Sequence, residues 1–104
     1  MMLLNVVAHS TTQAKEIAVY LLDHKFITQA SIGEKEVYEL NENHKLQGSK
    51  QYVIKGISKA LLFDTINKKL REKYSDQMPI VFAEPLIYID SEQNEKFLEG
   101  IVKV

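Results

Sequence analysis

Three histidines, one strand lysine and a set of tyrosines are the side chains in this sequence that could bind or react. His9, His24 and His44 stand far apart, none at i+3 or i+4 from another, and no Glu-x-x-His motif occurs. A transition-metal site would have to be assembled by the fold or by neighbouring copies, and His9 and His44 are its candidate ligands for a divalent ion. His24 reads more simply as a favourable contact with a helix C-terminus. Glu34, Glu36 and Glu42 could attract a hard cation, but no Asp-x-Asp-x-Asp-Gly loop gathers them, so a solvated charged strand edge is expected. Lys55 lies between Ile54 and Gly56, where a missing side chain would let an anion or phosphate approach closely. No glycine-rich phosphate loop accompanies it. Ser10, Ser31, Ser49 and Ser58 fall at turns or caps, or in a strand without an adjacent base, so no catalytic residue is assigned.

The elements that would hold these residues follow from periodicity. Residues 2–8 form an apolar run broken once, by Asn5, as suits a central strand covered on both faces. Ser10-Thr11-Thr12-Gln13 has the form of a capping box, and Ala14, Ile17, Ala18, Leu21 and Leu22 continue as one helical stripe. Residues 26–32 read as a strand interrupted at Gly33 and resumed over 36–40. Residues 41–50 read as a long polar hairpin connection, and residues 51–57 as the returning strand. Ser58 is the expected N-cap of a second helix carrying Leu62, Ile66, Leu70 and Tyr74, with Ile57 and Leu62 as a hydrophobic staple. A fourth strand is expected over 80–89, a short helix over 92–99 ending at Gly100, and a last short strand over 101–104.

That order predicts an α+β, ferredoxin-like βαββαβ sandwich. Two long helices should cover one face of an antiparallel sheet, followed by a short C-terminal helix. With 104 residues, 45% of them hydrophobic and 26% charged, the chain is expected to be one domain over residues 1–104. The net charge of −1 and the missing RNA-reader signature exclude nucleic acid as a partner. No apolar run approaches the roughly 20 residues of a membrane span, and the N-terminus lacks the form of a signal peptide. With no cysteine, disulfides, thiolate metal sites and a cysteine nucleophile are excluded, and a reducing, cytoplasmic setting is expected. Tyr38, Leu40, Tyr52, Ile54, Phe82, Leu86 and Tyr88 cannot all face the helices, so an apolar, aromatic second sheet face is expected, covered by other copies of the chain.

Taken together, these features resemble the CutA divalent-cation tolerance family, within the PII-like group of ferredoxin-like proteins. The resemblance runs from about residue 4 to residue 101. Its marks are Tyr38 in the long second strand, the pair Ile54-Lys55 in the third, and Tyr74 five residues before Pro79. The closing Phe97-Leu98-Glu99-Gly100-Ile101 is a further mark. The sequence departs from the family pattern at Leu40, where tryptophan is frequent, at Lys73 and Ile80 around the Tyr-Pro stretch, and in having no cysteine. The resemblance implies a non-enzymatic homotrimer linked to tolerance of copper and other divalent metals. It also implies that Tyr38, Lys55 and Tyr74 are candidate ligand contacts. A PII-like regulator is the second reading, binding a small anionic ligand or nucleotide in the clefts between subunits and signalling through residues 41–50. A small dimeric α+β-barrel enzyme or haem-handling protein is the third.

Overall fold

A computed structural model describes residues 1–104. Four strands, β1 (Met2–Ala8), β2 (Ser31–Leu40), β3 (Leu46–Ser58) and β4 (Ile80–Pro85), form one antiparallel sheet in the order β2-β3-β1-β4. Helices α1 (Thr11–Asp23) and α2 (Phe63–Tyr74) lie between the strands in sequence, and α3 (Ser91–Gly100) follows β4. This is the expected βαββαβ sandwich with its added C-terminal helix.

β1 sits at the centre because it is apolar on both faces. Met2, Leu4, Val6 and Ala8 join Ile17 and Leu21 of α1 and Ile66 and Leu70 of α2 in one buried cluster. Alternation sends Leu3, Asn5 and Val7 to the opposite face, where Asn5 and Val7 are buried as well. The α1 stripe is the predicted one over Ala14, Ile17, Ala18 and Leu21, while Leu22 is exposed, and Ser10 caps the helix, accepting from the Gln13 backbone N–H at 3.1 Å.

Several local expectations are corrected. Phe26 and Ile27 do not begin a strand. They are buried plugs in the turn after α1, where Lys25 takes a left-handed φ of 57°, and β2 starts only at Ser31. The strand then runs unbroken through Gly33. The long connection over 41–50 is a short turn, because pairing continues to Leu40 opposite Leu46. Ser58 does not cap α2. It ends β3, fully buried, and its hydroxyl donates to the Phe26 carbonyl at 2.6 Å, while the helix is entered through a single 3₁₀ turn over Ala60–Leu62. β4 stops at Pro85 rather than 89, because its partner β1 is exhausted where Met2 meets Pro85. Residues 101–104 form no strand; Ile101 is buried, and the Val102 N–H donates to the Lys25 carbonyl at 2.7 Å.

The expected oily second face is also corrected. The pairing register places Tyr38, Leu40, Tyr52 and Ile54 on the helix side of the sheet. Ile54 is buried there and Tyr52 packs against the core, but β2 and β3 outrun the helices, so Tyr38 and Leu40 remain exposed on a projecting ribbon. Of the expected residues within the strands, Phe82 lies on the open face, which mixes apolar Leu3, Val7, Val53 and Ile80 with Asn5, Lys55 and Glu84; Leu86 and Tyr88 lie beyond the end of β4.

Replacing Ser58 with alanine leaves the Phe26 carbonyl without its buried partner. The expected cost is about 1–3 kcal/mol of unfolding free energy. Urea denaturation will show it as a lower midpoint with an unchanged slope.

Candidate functional site

The C-terminal end of β1, the first turn of α1 and the end of α2 meet in a polar cleft of about 530 Å³, lined by His9, Ser10, Thr12, Gln13, Glu16, Tyr74 and Gln77. Gln13 is its hinge. Its side-chain oxygen accepts from the His9 backbone N–H at 2.8 Å, and its amide nitrogen donates to the Gln77 carbonyl at 3.0 Å. The capping glutamine thus reaches one residue further back than the standard box, and its other end clamps the turn after α2. Across the cleft the Tyr74 hydroxyl donates to the Glu16 carboxylate at 3.0 Å. The cleft therefore brings together two candidates distant in sequence, His9 and Tyr74, and surrounds them with Glu16 and Gln77, which carry no signal of a site in the sequence.

Burial, and then the bond to Glu16, push the Tyr74 hydroxyl well above the ordinary tyrosine range. It is therefore a neutral donor at physiological pH. The Lys73 ammonium lies 5.4 Å from the centre of the Tyr20 ring and 5.7 Å from that of Tyr74, within cation–π range of both. The cleft can offer an imidazole, a carboxylate, a phenol and amide groups to a small polar ligand. It holds no nucleophile with an adjacent base.

The other candidates lie elsewhere. Tyr38 is on the projecting ribbon, packed over Gly48, where an added Cβ would stand 3.0 Å from its ring. Its hydroxyl donates to Glu36, and that bond first, then burial, raise its pKa. His44 occupies the β2–β3 turn with a φ of 58°, its N–H donating to the Asn41 carbonyl at 2.9 Å. Lys55 is on the open sheet face, paired across the ladder with Asn5 on one side and Ser31 on the other. Gly56 beside it lines a cavity of about 550 Å³ together with Lys55, Ser31 and Phe97. A Cβ there would meet Ile27 and the Gln29 carbonyl at 2.9 Å, so the glycine makes room for the loop beneath. His9 and His44 belong to separate elements, and no group of three or more His, Asp or Glu side chains is placed to hold a metal ion. One chain does not supply a complete donor set.

The fold is shared with solved CutA structures. CutA1 from Pyrococcus horikoshii superposes with a TM-score of 0.84 at 14% identity, covering 99% of this chain and 100% of that one. The periplasmic divalent cation tolerance protein CutA from Archaeoglobus fulgidus gives a TM-score of 0.80 at 19% identity, covering 96% and 98%. The divalent cation tolerance protein from Thermus thermophilus gives 0.80 at 12%, covering 98% and 100%. No family model and no curated protein matches the sequence. The resemblance read from the sequence is thus met at the level of the fold, over nearly the whole chain.

The Tyr74 bond can be read by alkaline titration, following tyrosinate absorbance. Glu16→Gln should lower the Tyr74 titration toward the ordinary tyrosine range without reaching it, because burial remains. A raised folded-state pKa contributes stability below the unfolded tyrosine value, near about pH 10, that is lost as pH rises further. The variant should therefore lose less stability than the parent above that pH.

Proposed function

We propose that the chain is a non-enzymatic, CutA-like homotrimer with a role in divalent-cation tolerance, working in a reducing, cytoplasmic setting. The observation that carries the assembly is a strand-forming segment left without a partner. The Leu86 N–H still donates to the Met1 carbonyl at 3.3 Å, but there the chain beside it ends, and Ile87 and Tyr88 of the following 87–89 stretch are 80% and 93% exposed. On the other side of the molecule the β2–β3 ribbon exposes Leu40 and Leu46 at 65% and 69%. Exposed strand edges and apolar tips of this kind are sites of strand pairing. The two surfaces differ, so a copy that docks its ribbon on a neighbour's 87–89 segment makes a head-to-tail contact, which forms a ring when the rotation between copies closes. A trimer is the ring proposed for this CutA-like fold.

The metal role rests on the divalent cation tolerance proteins that share the fold. Since no three donors converge within one chain, His9 and His44 would bind an ion with ligands from a second copy. The absence of cysteine restricts the donors to nitrogen and oxygen, with methionine sulfur the one soft alternative. No helix is long and apolar enough to cross a membrane.

Sedimentation velocity at micromolar concentration should give a mass three times that of the 12.0 kDa chain. Tyr88→Asp combined with Ile87→Asp should convert it to a folded monomer. A wild-type monomer at that concentration overturns the assembly. Titrating the trimer with Cu²⁺ should raise its thermal midpoint, and His9→Ala with His44→Ala should abolish the rise. A rise that survives the double substitution removes both histidines as ligands.

A further inference from the structure

The C-terminal helix is fastened differently from the rest of the chain. α3 buries none of its residues completely; Phe97 packs half-buried against the core, and Leu98 is 38% exposed. A helix of 10 residues is marginal by itself in water, so α3 is held by the segments on either side of it. On the N-terminal side, residues 87–89 lie outside any element and make no backbone hydrogen bond to the rest of the chain. That side is a hinge rather than an anchor.

The fastening is at the other end. Ile101 is 3% exposed and belongs to the core cluster. The end of α1 closes in a Schellman turn, where the Lys25 N–H donates to the Leu22 carbonyl and the Phe26 N–H to the Leu21 carbonyl, both at 3.0 Å. The Lys25 carbonyl is left outside the helix and accepts the Val102 N–H at 2.7 Å. From the chain just before α2, the Lys59 ammonium donates to the Val102 carbonyl at 3.0 Å and reaches the Ile101 carbonyl at 3.5 Å. Val102 is thus gripped through both its N–H and its carbonyl. Gly100 lets the chain pass close to the turn, since an added Cβ there would collide with the Thr28 side chain.

Around this clasp the packing is open. A cavity of about 560 Å³ lies at the junction, lined by Leu22, Lys25, Ile27 and Thr28 of the body and by residues 99–103 of the tail. Release therefore costs the burial of Ile101 and part of that of Phe97, with little apolar area beyond them. Glu99 and Lys103 on the tail and Lys25 on the body form no ion pair, so Lys59 is the charged tie across the junction.

We propose that α3 with residues 101–102 is a strap that unlatches as a unit, hinged just before α3, while the sheet and the two long helices stay folded. The Lys59 ammonium is its catch, and the apolar floor of Leu22 and Ile27 is what it uncovers. All its ties lie within one chain, so it stands apart from the assembly reading and is tested separately from it.

Native-state hydrogen exchange at rising, sub-denaturing urea tests it. The amides of 94–102 should exchange at least about tenfold faster than those of β1, through an opening whose urea slope is well below that of global unfolding. Lys59→Met keeps the stem and removes the charge. It should speed exchange over 94–102 about tenfold or more and leave β1 and α1 unchanged. Lys103→Met, on the same strap but outside the catch, should leave both as they are. Exchange of 94–102 only together with β1, in global unfolding, overturns the proposal. So does a Lys59→Met that moves every amide by one factor or moves none, or a Lys103→Met that reproduces its effect. Sedimentation of the same samples reports the assembly independently.

Discussion

The structure depends on a central strand that is sealed on both sides. β1 contributes Leu4, Val6 and Ala8 to the core beneath the helices and Val7 and Asn5 to the opposite face, all nearly inaccessible. Each large aliphatic side chain fully buried in this way contributes about 1.5–3 kcal/mol. β3 and β4 both pair with β1, so its seven residues set how far the sheet can be covered and where β4 must end.

From that limit two kinds of surface arise. Where β2 and β3 run past the helices, the ladder persists but its cover does not, and Tyr38, Leu40 and Leu46 face solvent. Where β1 runs out, β-forming residues continue without a partner over 87–89. Both are consequences of unequal strand lengths, 7 and 6 residues against 10 and 13, and neither needs an unusual composition. A fold that leaves such ends is suited to completing its sheet with other chains.

Polar groups are placed in three regions with different physical character. The His9–Tyr74 cleft is a clamp between α1 and the end of α2, held by Gln13 and by the Tyr74–Glu16 bond. The ribbon carries a solvated ion pair, Lys50 with Glu34 at 3.1 Å, of a kind that adds no more than about 1 kcal/mol. The open face holds opposite charges on either side of a buried amide.

What the sequence determined by itself is the element order and the buried stripes. The apolar run 2–8, the i, i+3, i+4 spacing through Ala14–Leu21 and the Ser10 cap each express local chemistry, and each appears in the structure as read. Asn5 is legible too, as the lone polar residue in that run, although its partner is not. Tertiary structure alone decided where pairing stops and which distant residues meet. The end of β4 is set by the length of β1, the fate of Ser58 by the Phe26 carbonyl, and the His9 cleft by a turn that follows a helix two strands later in the chain. Periodicity reports a residue's face on its own element, because that follows from backbone geometry. It is silent on cross-strand partners and on how far a helix reaches over a sheet, because those depend on lengths and packing summed over the whole chain.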